Sequence, residues 1–325
     1  MNILLTRRLV PVDLEYIKKA LDRMEIKNIN FINPDSFDEE ELLERIVKDK
    51  PDVFFGPFVT ENMIKMSSNL KLIQIPWSGL DMVNFKALKN FNGKVANSHS
   101  NSVPVAEFGI GLMLDVIKKI SLHNELMKNG DANRGQRQFS VSSDMIAGKT
   151  VGIMGYGAIG SNLARLVNVF GVKLNVFSTK EVDDGIEKIF FGLDELDKFL
   201  SKCDILFCAL PHTPKTDSLI KKAEYQKMVK KPYVINVSRA DIFDKADLIT
   251  ALDENKIRGY ASDVWWDDFE VTSSDFGKRN DVIISPHRAA YVTNTLPHLE
   301  DAIKNIANLY LGQDIINVIN VEKYL

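Results

Sequence analysis

Two hydrophobic rhythms alternate along this chain from its first residues. Residues 2–6 form a short apolar run that reads as a strand, and residues 12–24 then place Leu14, Ile17, Ala20 and Leu21 at helical spacing. Residues 29–33 give the next strand and 38–48 the next helix, whose acidic start suits the positive end of a helix dipole. Runs 52–56, 70–75 and 94–98 are further strands. Strands and helices in this order predict a mostly parallel sheet with helices on both faces.

Residues 103–127 read as one long helix, apolar almost all round in its first half, as expected of a helix buried between larger bodies. It marks the junction between two domains. Residues 129–147 are polar and patternless, a loop or an arm that packs on a partner subunit. The rhythm then restarts. Strands are predicted over 150–154, 173–177, 204–210, 233–237, 259–264 and 281–285, with helices over 159–170, 193–202, 221–230, 244–255 and 295–311. The expected fold class is α/β, with two doubly wound parallel-sheet domains.

Length and composition narrow the class of protein. The 325 residues correspond to about two domains. With 45% apolar and 26% charged residues the chain can bury an ordinary globular core. Lysine plus arginine (41) nearly balance aspartate plus glutamate (44), so neither nucleic acid nor an anionic membrane is the expected partner. Two cysteines exclude a disulfide scaffold and favour a reducing, cytoplasmic setting. No run approaches the roughly 20 apolar residues that cross a bilayer, and residues 1–8 lack a signal-peptide layout.

The first chemical signal is Gly155-Tyr156-Gly157-Ala158-Ile159-Gly160, a G-x-G-x-x-G run that follows a predicted strand and opens a predicted helix. In that context Gly155 makes the sharp turn, Gly157 lets the backbone approach a pyrophosphate, and Gly160 lets helix and strand pack closely. A dinucleotide fold usually ends its second strand with an acid that holds the adenosine ribose. Here Ser178-Thr179-Lys180 follows the strand instead. Two hydroxyls and an ammonium suit a 2′-phosphate, and no carboxylate repels it, so NADP(H) is favoured over NAD(H). Glu181, Asp183 or Asp184 supplies the acid if the strand ends later than the pattern suggests.

Three further residues stand at predicted strand ends, where ligands gather in open α/β sheets. They are Arg239, able to clamp a carboxylate with two hydrogen bonds, Asp263, and His287 in Ser285-Pro286-His287. His212, in Leu210-Pro211-His212-Thr213, shares that position.

With these in view the chain resembles the D-2-hydroxyacid dehydrogenase family over nearly its whole length. The matching segments are residues 147–160, Leu210-Pro211-His212-Thr213-Pro214-Lys215-Thr216, Ile235 to Arg239, Asp263-Val264-Trp265 and Ser285-Pro286-His287. The resemblance implies a flavodoxin-like substrate domain (1–99 plus 291–325) and a Rossmann cofactor domain (100–290), an active site in the cleft between them, and a homodimer. It implies that Arg239 binds the substrate carboxylate and polarises the keto oxygen, that His287 is the acid–base group, and that Asp263 holds the nicotinamide carboxamide. Ser78 and Gly79, in Trp77-Ser78-Gly79, would grip the carboxylate through backbone N–H groups, and Asn101 would touch substrate or cap a helix. Cofactor contacts are implied at Gly155, Gly157, Ala158, Ile159, Ser178, Thr179, Lys180, Pro211, Thr216, Val237 and Asp263, with no metal. His212 would line the cofactor loop rather than catalyse.

The sequence departs from the family pattern after Asp263. The family's glutamate partner of the histidine, followed by proline, is replaced by Asp268-Phe269, with Asp267 as the alternative acid. An anion beside imidazole favours the protonated ring, which the reaction needs as a proton donor. An acid here, where formate dehydrogenases of the superfamily carry glutamine, argues against formate chemistry. Ala240 replaces the glycine that usually follows the arginine, implying ordinary backbone angles or modest strain at that turn. The expected activity is NAD(P)H-dependent reduction of a 2-oxo acid, as in glyoxylate or hydroxypyruvate reductases. A dinucleotide-sensing corepressor-like module and a phosphite- or formate-type dehydrogenase are the alternatives.

Overall fold

The computed structural model describes residues 1–130, 142–266, 276–293 and 295–325. Two compact units divide the chain, one formed by Met1–Asn101 with Tyr291–Leu325 and the other by Ser102–Ala290.

The first unit is built on five parallel strands, β1 (Asn2–Leu5), β2 (Asn30–Ile32), β3 (Val53–Phe55), β4 (Leu72–Gln74) and β5 (Lys94–Ala96), in the order β2-β1-β3-β4-β5. Strand side chains alternate between faces, so β1 sends Ile3 and Leu5 to one side and Leu4 to the other. Ile3 and Leu5 pack with Ile17 and Leu21 of the helix Pro11–Arg23 and with Leu299, Ile303 and Ile306 of the helix Pro297–Leu311. Leu4 packs with Leu42 and Ile46 of the helix Glu39–Asp49 and with Met63. That helix starts where the acidic run indicates, because Asp38 accepts the Glu41 N–H at 3.0 Å. Two short helices, Glu61–Met66 and Phe85–Leu88, have too few turns to show a helical period in the sequence.

The second unit carries seven parallel strands, β6 (Thr150–Met154), β7 (Lys173–Phe177), β8 (Ile189–Phe191), β9 (Ile205–Cys208), β10 (Tyr233–Asn236), β11 (Gly259–Ser262) and β12 (Val282–Ile284). Their order, β12-β11-β10-β9-β6-β7-β8, runs outward in both directions from the β6/β9 pair. That reversal is the topological switch point where doubly wound sheets bind ligands, outside the carboxyl ends of the strands. β8 is absent from the hydrophobic pattern because it is three residues at a sheet edge, with only Phe191 buried.

The long helix expected over 103–127 is two helices, Ser102–Lys118 and Ile120–Lys128. Lys119 takes the left-handed conformation (φ 57°). The Asp115 carboxylate accepts both the Ser121 N–H, at 2.7 Å, and the Ser121 hydroxyl, which ends the first helix from its own side chain. The first helix is not buried all round. Val105, Ala106, Leu112, Met113 and Val116 are buried in the second unit's core, whereas Val103, Glu107 and Gly111 are exposed. Of the expected loop or arm, residues 131–141 lie outside the described residues. Among those described, no helix is long and apolar enough to cross a membrane.

Candidate functional site

The glycine-rich turn connects β6 to the helix Ala158–Asn168 at the switch point. Gly155 has φ +92°, and a Cβ there would lie 2.7 Å from the Ala209 carbonyl oxygen just beyond β9. A Cβ on Gly160 would stand 2.0 Å from the Gly155 carbonyl oxygen, so the helix can approach the turn only through hydrogen. Gly157 is different. It is exposed, and nothing lies within 4 Å of where its Cβ would be. Among the described residues no side chain caps the helix, and the half-buried Ala158 and Ile159 form its first turn. Two glycines therefore close the turn while the third leaves an open approach to uncapped N–H groups, a cradle that fits a dinucleotide pyrophosphate.

β7 ends at Phe177, so Ser178, half-buried, and Thr179 and Lys180, both exposed, follow the strand directly. Of the three acids held in reserve, Asp183 accepts the Gly185 N–H. Asp184 is engaged more fully. It accepts the Tyr156 hydroxyl at 2.6 Å, the Lys188 ammonium and the Ile186 N–H at 3.2 Å. Burial alone would raise the Asp184 pKa, but these donors outweigh it and hold the carboxyl at about 2. Burial and the Asp184 bond push the Tyr156 phenol up. The Lys188 side chain is 3% exposed, with its ammonium 5.0 Å from the Tyr156 ring centroid and 5.5 Å from that of Phe190. Asp184 thus ties the segment after β7 to the glycine-rich turn, a link that sequence spacing does not show.

Arg239, half-buried, leaves β10 in a turn closed by Asn236, a fully buried residue that the motif reading passed over. Its amide donates to the Arg239 carbonyl at 2.9 Å and to the Tyr260 hydroxyl at 3.2 Å, and its side-chain oxygen accepts the Ser238 N–H at 3.0 Å. The Ser238 hydroxyl donates to the Leu210 carbonyl, linking this turn to the one that carries Pro211 and Thr216. There Thr216 Oγ1 donates to the Pro211 carbonyl at 2.7 Å. Val237 is buried, and its N–H donates to the Cys208 carbonyl at 3.3 Å. Ala240 opens a short 3-10 turn with ordinary backbone angles, so the missing glycine costs no strain.

Asp263 is buried, and its two carboxylate oxygens accept the backbone N–H groups of Arg288 and Ala289, each at 2.8 Å. On the other side of His287, the Trp265 indole N–H donates to the Ser285 carbonyl at 3.1 Å. These two residues pin the segment around His287, which is exposed and holds φ +55°. A positive φ on a residue other than glycine costs on the order of 1 kcal/mol or more and persists only where neighbours impose it. Both Trp265 and Trp266, partly buried, pack on Phe276 against one core cluster. Asp268 and Asp267 lie outside the described residues. His212 pairs through Nε2 with Asp217 at 2.8 Å.

In the first unit, Trp77-Ser78-Gly79 follows β4 and is held from β5. The Ser98 N–H donates to the Trp77 carbonyl at 3.2 Å, and the buried Asn97 amide donates to the Ser78 carbonyl at 2.9 Å. The carbonyls are spent on this anchoring. Among the described residues, the N–H groups of Ser78 and Gly79 have no acceptor. Asn101 is buried, and its side-chain oxygen has no partner among the described residues, so it does not cap the following helix. Among the described residues, no three histidine, cysteine, aspartate or glutamate side chains gather as metal ligands would.

Comparison with known proteins agrees with this architecture. The model of the D-isomer specific 2-hydroxyacid dehydrogenase NAD binding domain matches residues 110–289, more than half of the chain. The chain is 28% identical to a D-3-phosphoglycerate dehydrogenase of Synechocystis sp. over 265 residues, covering 81% of this chain and 47% of that protein. It therefore spans about half the length of that relative. It is 27% identical to a glyoxylate reductase of Thermofilum pendens over 292 residues, covering 87% of this chain and 85% of the relative. Among solved structures, the PH0520 protein from Pyrococcus horikoshii OT3 superposes with a TM-score of 0.80 at 25% identity, covering 99% of this chain and 96% of that one. With the dinucleotide cradle at the switch point and the family domain matched across it, the chain belongs to the D-isomer specific 2-hydroxyacid dehydrogenase family.

Proposed function

We propose that this protein is an NAD(P)-dependent oxidoreductase that interconverts 2-oxo acids and D-2-hydroxy acids, in the manner of glyoxylate or hydroxypyruvate reductases. The observation that carries this reading is the pinned His287 segment. Two side chains fix it, and a strained backbone presents an exposed imidazole beyond β12, on the same sheet as the dinucleotide cradle. The second unit then binds the cofactor and the first unit binds the acid.

The reduced nicotinamide, when bound, supplies the hydride. The chain's own residues do the rest. The N–H groups of Ser78 and Gly79 donate to the substrate carboxylate, and Asn101 contacts the substrate. Arg239 clamps the same carboxylate and polarises the keto oxygen. His287, protonated, gives its proton to the oxygen that becomes the hydroxyl, with Asp268 as its acidic partner. Asp263 holds the His287 segment and orients the carboxamide of the cofactor.

NADP(H) is the preferred cofactor. Ser178, Thr179 and Lys180 follow β7 where an acid would repel a 2′-phosphate, and Asp184 is already committed to Tyr156 and Lys188. The ratio of kcat/KM for NADPH over NADH measures this, and a clear NADH preference overturns it. The protein works as a homodimer in the cytoplasm, which sedimentation and fractionation test.

The deciding experiment follows oxidation of NADPH and NADH with glyoxylate, hydroxypyruvate, pyruvate and longer 2-oxo acids. Arg239→Ala raises KM and lowers kcat together, because the residue acts in both ground and transition states. Cofactor binding without turnover would favour a dinucleotide sensor instead. Reduction of the oxidised cofactor by phosphite or formate alone would favour the third class.

A further inference from the structure

The carboxyl edge of the first sheet also presents a cation that the proposed reaction leaves unused. Arg7 follows Thr6 just after β1, while Trp77 follows β4, and β3 lies between these strands in the sheet. Even so, the guanidinium carbon of Arg7 lies 4.6 Å from the centroid of the Trp77 ring. The residue after β3 makes this possible. It is Gly56, at φ +136°, and a Cβ there would lie 2.7 Å from Thr6 Oγ1, 3.2 Å from the Arg7 nitrogen and 3.3 Å from the Arg7 Cβ. Without that atom, the chain leaving β1 can lean across the end of β3 and set the guanidinium on the indole.

Stacking on an aromatic ring occupies the face of a guanidinium and leaves the N–H donors along its edge. Among the described residues no carboxylate pairs with Arg7, and no hydrogen bond uses those donors. Beside it, the buried Thr6 hydroxyl has no partner among the described residues. Trp77, half-buried on the first unit's core, directly precedes Ser78 and Gly79, whose N–H groups are also without an acceptor among the described residues. One short stretch of sheet edge thus presents two sets of anion-binding donors, a backbone pair that directly follows Trp77 and a guanidinium oriented on the Trp77 ring.

We propose that Arg7, braced on Trp77, binds the far end of the substrate, so that the preferred 2-oxo acids carry a second anionic group beyond the keto carbon. That group is a carboxylate or a phosphate ester, either of which matches the planar fork of arginine. The proposal rests on the reading that Ser78 and Gly79 hold the first carboxylate. Pyruvate ends in a methyl group and leaves Arg7 idle, whereas oxaloacetate and 3-phosphohydroxypyruvate place a carboxylate and a phosphate ester at that methyl.

The test is kcat/KM for these three acids with the wild type, Arg7→Gln and Arg7→Lys. The wild type is expected to prefer at least one dianionic acid over pyruvate, and which one identifies the source of the charge. Arg7→Gln is expected to lower the ratio of that acid to pyruvate by about 10- to 100-fold, mainly through KM. Arg7→Lys should restore part of the ratio, because it keeps the charge and loses the fork. An unchanged ratio in Arg7→Gln, or a wild-type preference for pyruvate, overturns the proposal and leaves the 2-oxo acid reading standing. If the wild type reduces none of the three, nor any other 2-oxo acid, with either cofactor, that broader reading fails first.

Discussion

The carboxyl edges of the two sheets are organised in opposite ways. In the second unit, side chains spend their hydrogen bonds on the backbone of the turns themselves. Asn236 closes the Arg239 turn, Ser238 ties it to Leu210, and Asp263 holds the N–H groups of Arg288 and Ala289. In the first unit the neighbouring strand anchors the carbonyls of Trp77 and Ser78, while among the described residues the donors of Ser78, Gly79 and Arg7 have no acceptor. One edge holds its turns still, and the other leaves donors that the proposed function assigns to a ligand. Preorganisation of the first kind lowers the cost of reorienting dipoles during reaction, and donors of the second kind give binding and selectivity.

Variants can break this contrast, and the largest expected effect belongs to the proposed proton donor, His287. His287→Ala lowers kcat by roughly 10²–10⁴ in steady-state assays while leaving the thermal transition in place. Wild-type turnover in this variant would remove His287 from the mechanism. Asp263→Ala should be felt in both quantities. It strands two backbone N–H groups at about 1–3 kcal/mol each, so denaturant unfolding of the second unit shifts earlier and turnover falls with it. Asn97→Ala makes the complementary change in the first unit. Losing its bond to Ser78 costs about 0.5–1.5 kcal/mol, and KM for the 2-oxo acid rises more than kcat falls.

Asp184 gives a pH-dependent test. Its folded pKa of about 2 lies below the ordinary aspartate value of about 3.9, so its stabilisation is complete above about pH 4 and is lost as pH falls toward 2. Asp184→Asn should therefore lose less stability than the wild type between about pH 5 and pH 2. A steeper acid loss in the variant would contradict the network with Tyr156 and Lys188. The smallest change belongs to His212→Ala, whose ring pairs with Asp217. Its effect on kcat should stay below the roughly 10²-fold that marks a lost acid–base group.

The strands and the glycine-rich turn were legible because burial on both faces of a parallel sheet writes near-continuous apolar runs, and a tight turn demands glycine. Elements without a full period were not. β8 and the helices Glu61–Met66 and Phe85–Leu88 are too short to establish one, and the helix break at Lys119 depends on the side chain of Asp115. Arg239, Asp263 and His287 stood out because strand ends are where ligands gather. The roles of the residues that fix them did not, since Asn236, Ser238 and Trp265 lie in the matched segments but show no partner until the chain is folded.

By itself, then, the sequence determined the two α/β halves, the dinucleotide turn and the titratable groups that follow the strands, because period, glycine placement and residue type are local properties. Tertiary structure alone decided which donors are spent and which remain open. The Asp184 carboxylate is held ionised by Tyr156 and Lys188, the His287 backbone is held at positive φ, and Arg7 reaches across β3 to Trp77. Each of these joins residues distant in sequence or separated by an intervening strand. The energy of such a contact depends on distance and burial in the folded chain, which no run of neighbouring residues encodes.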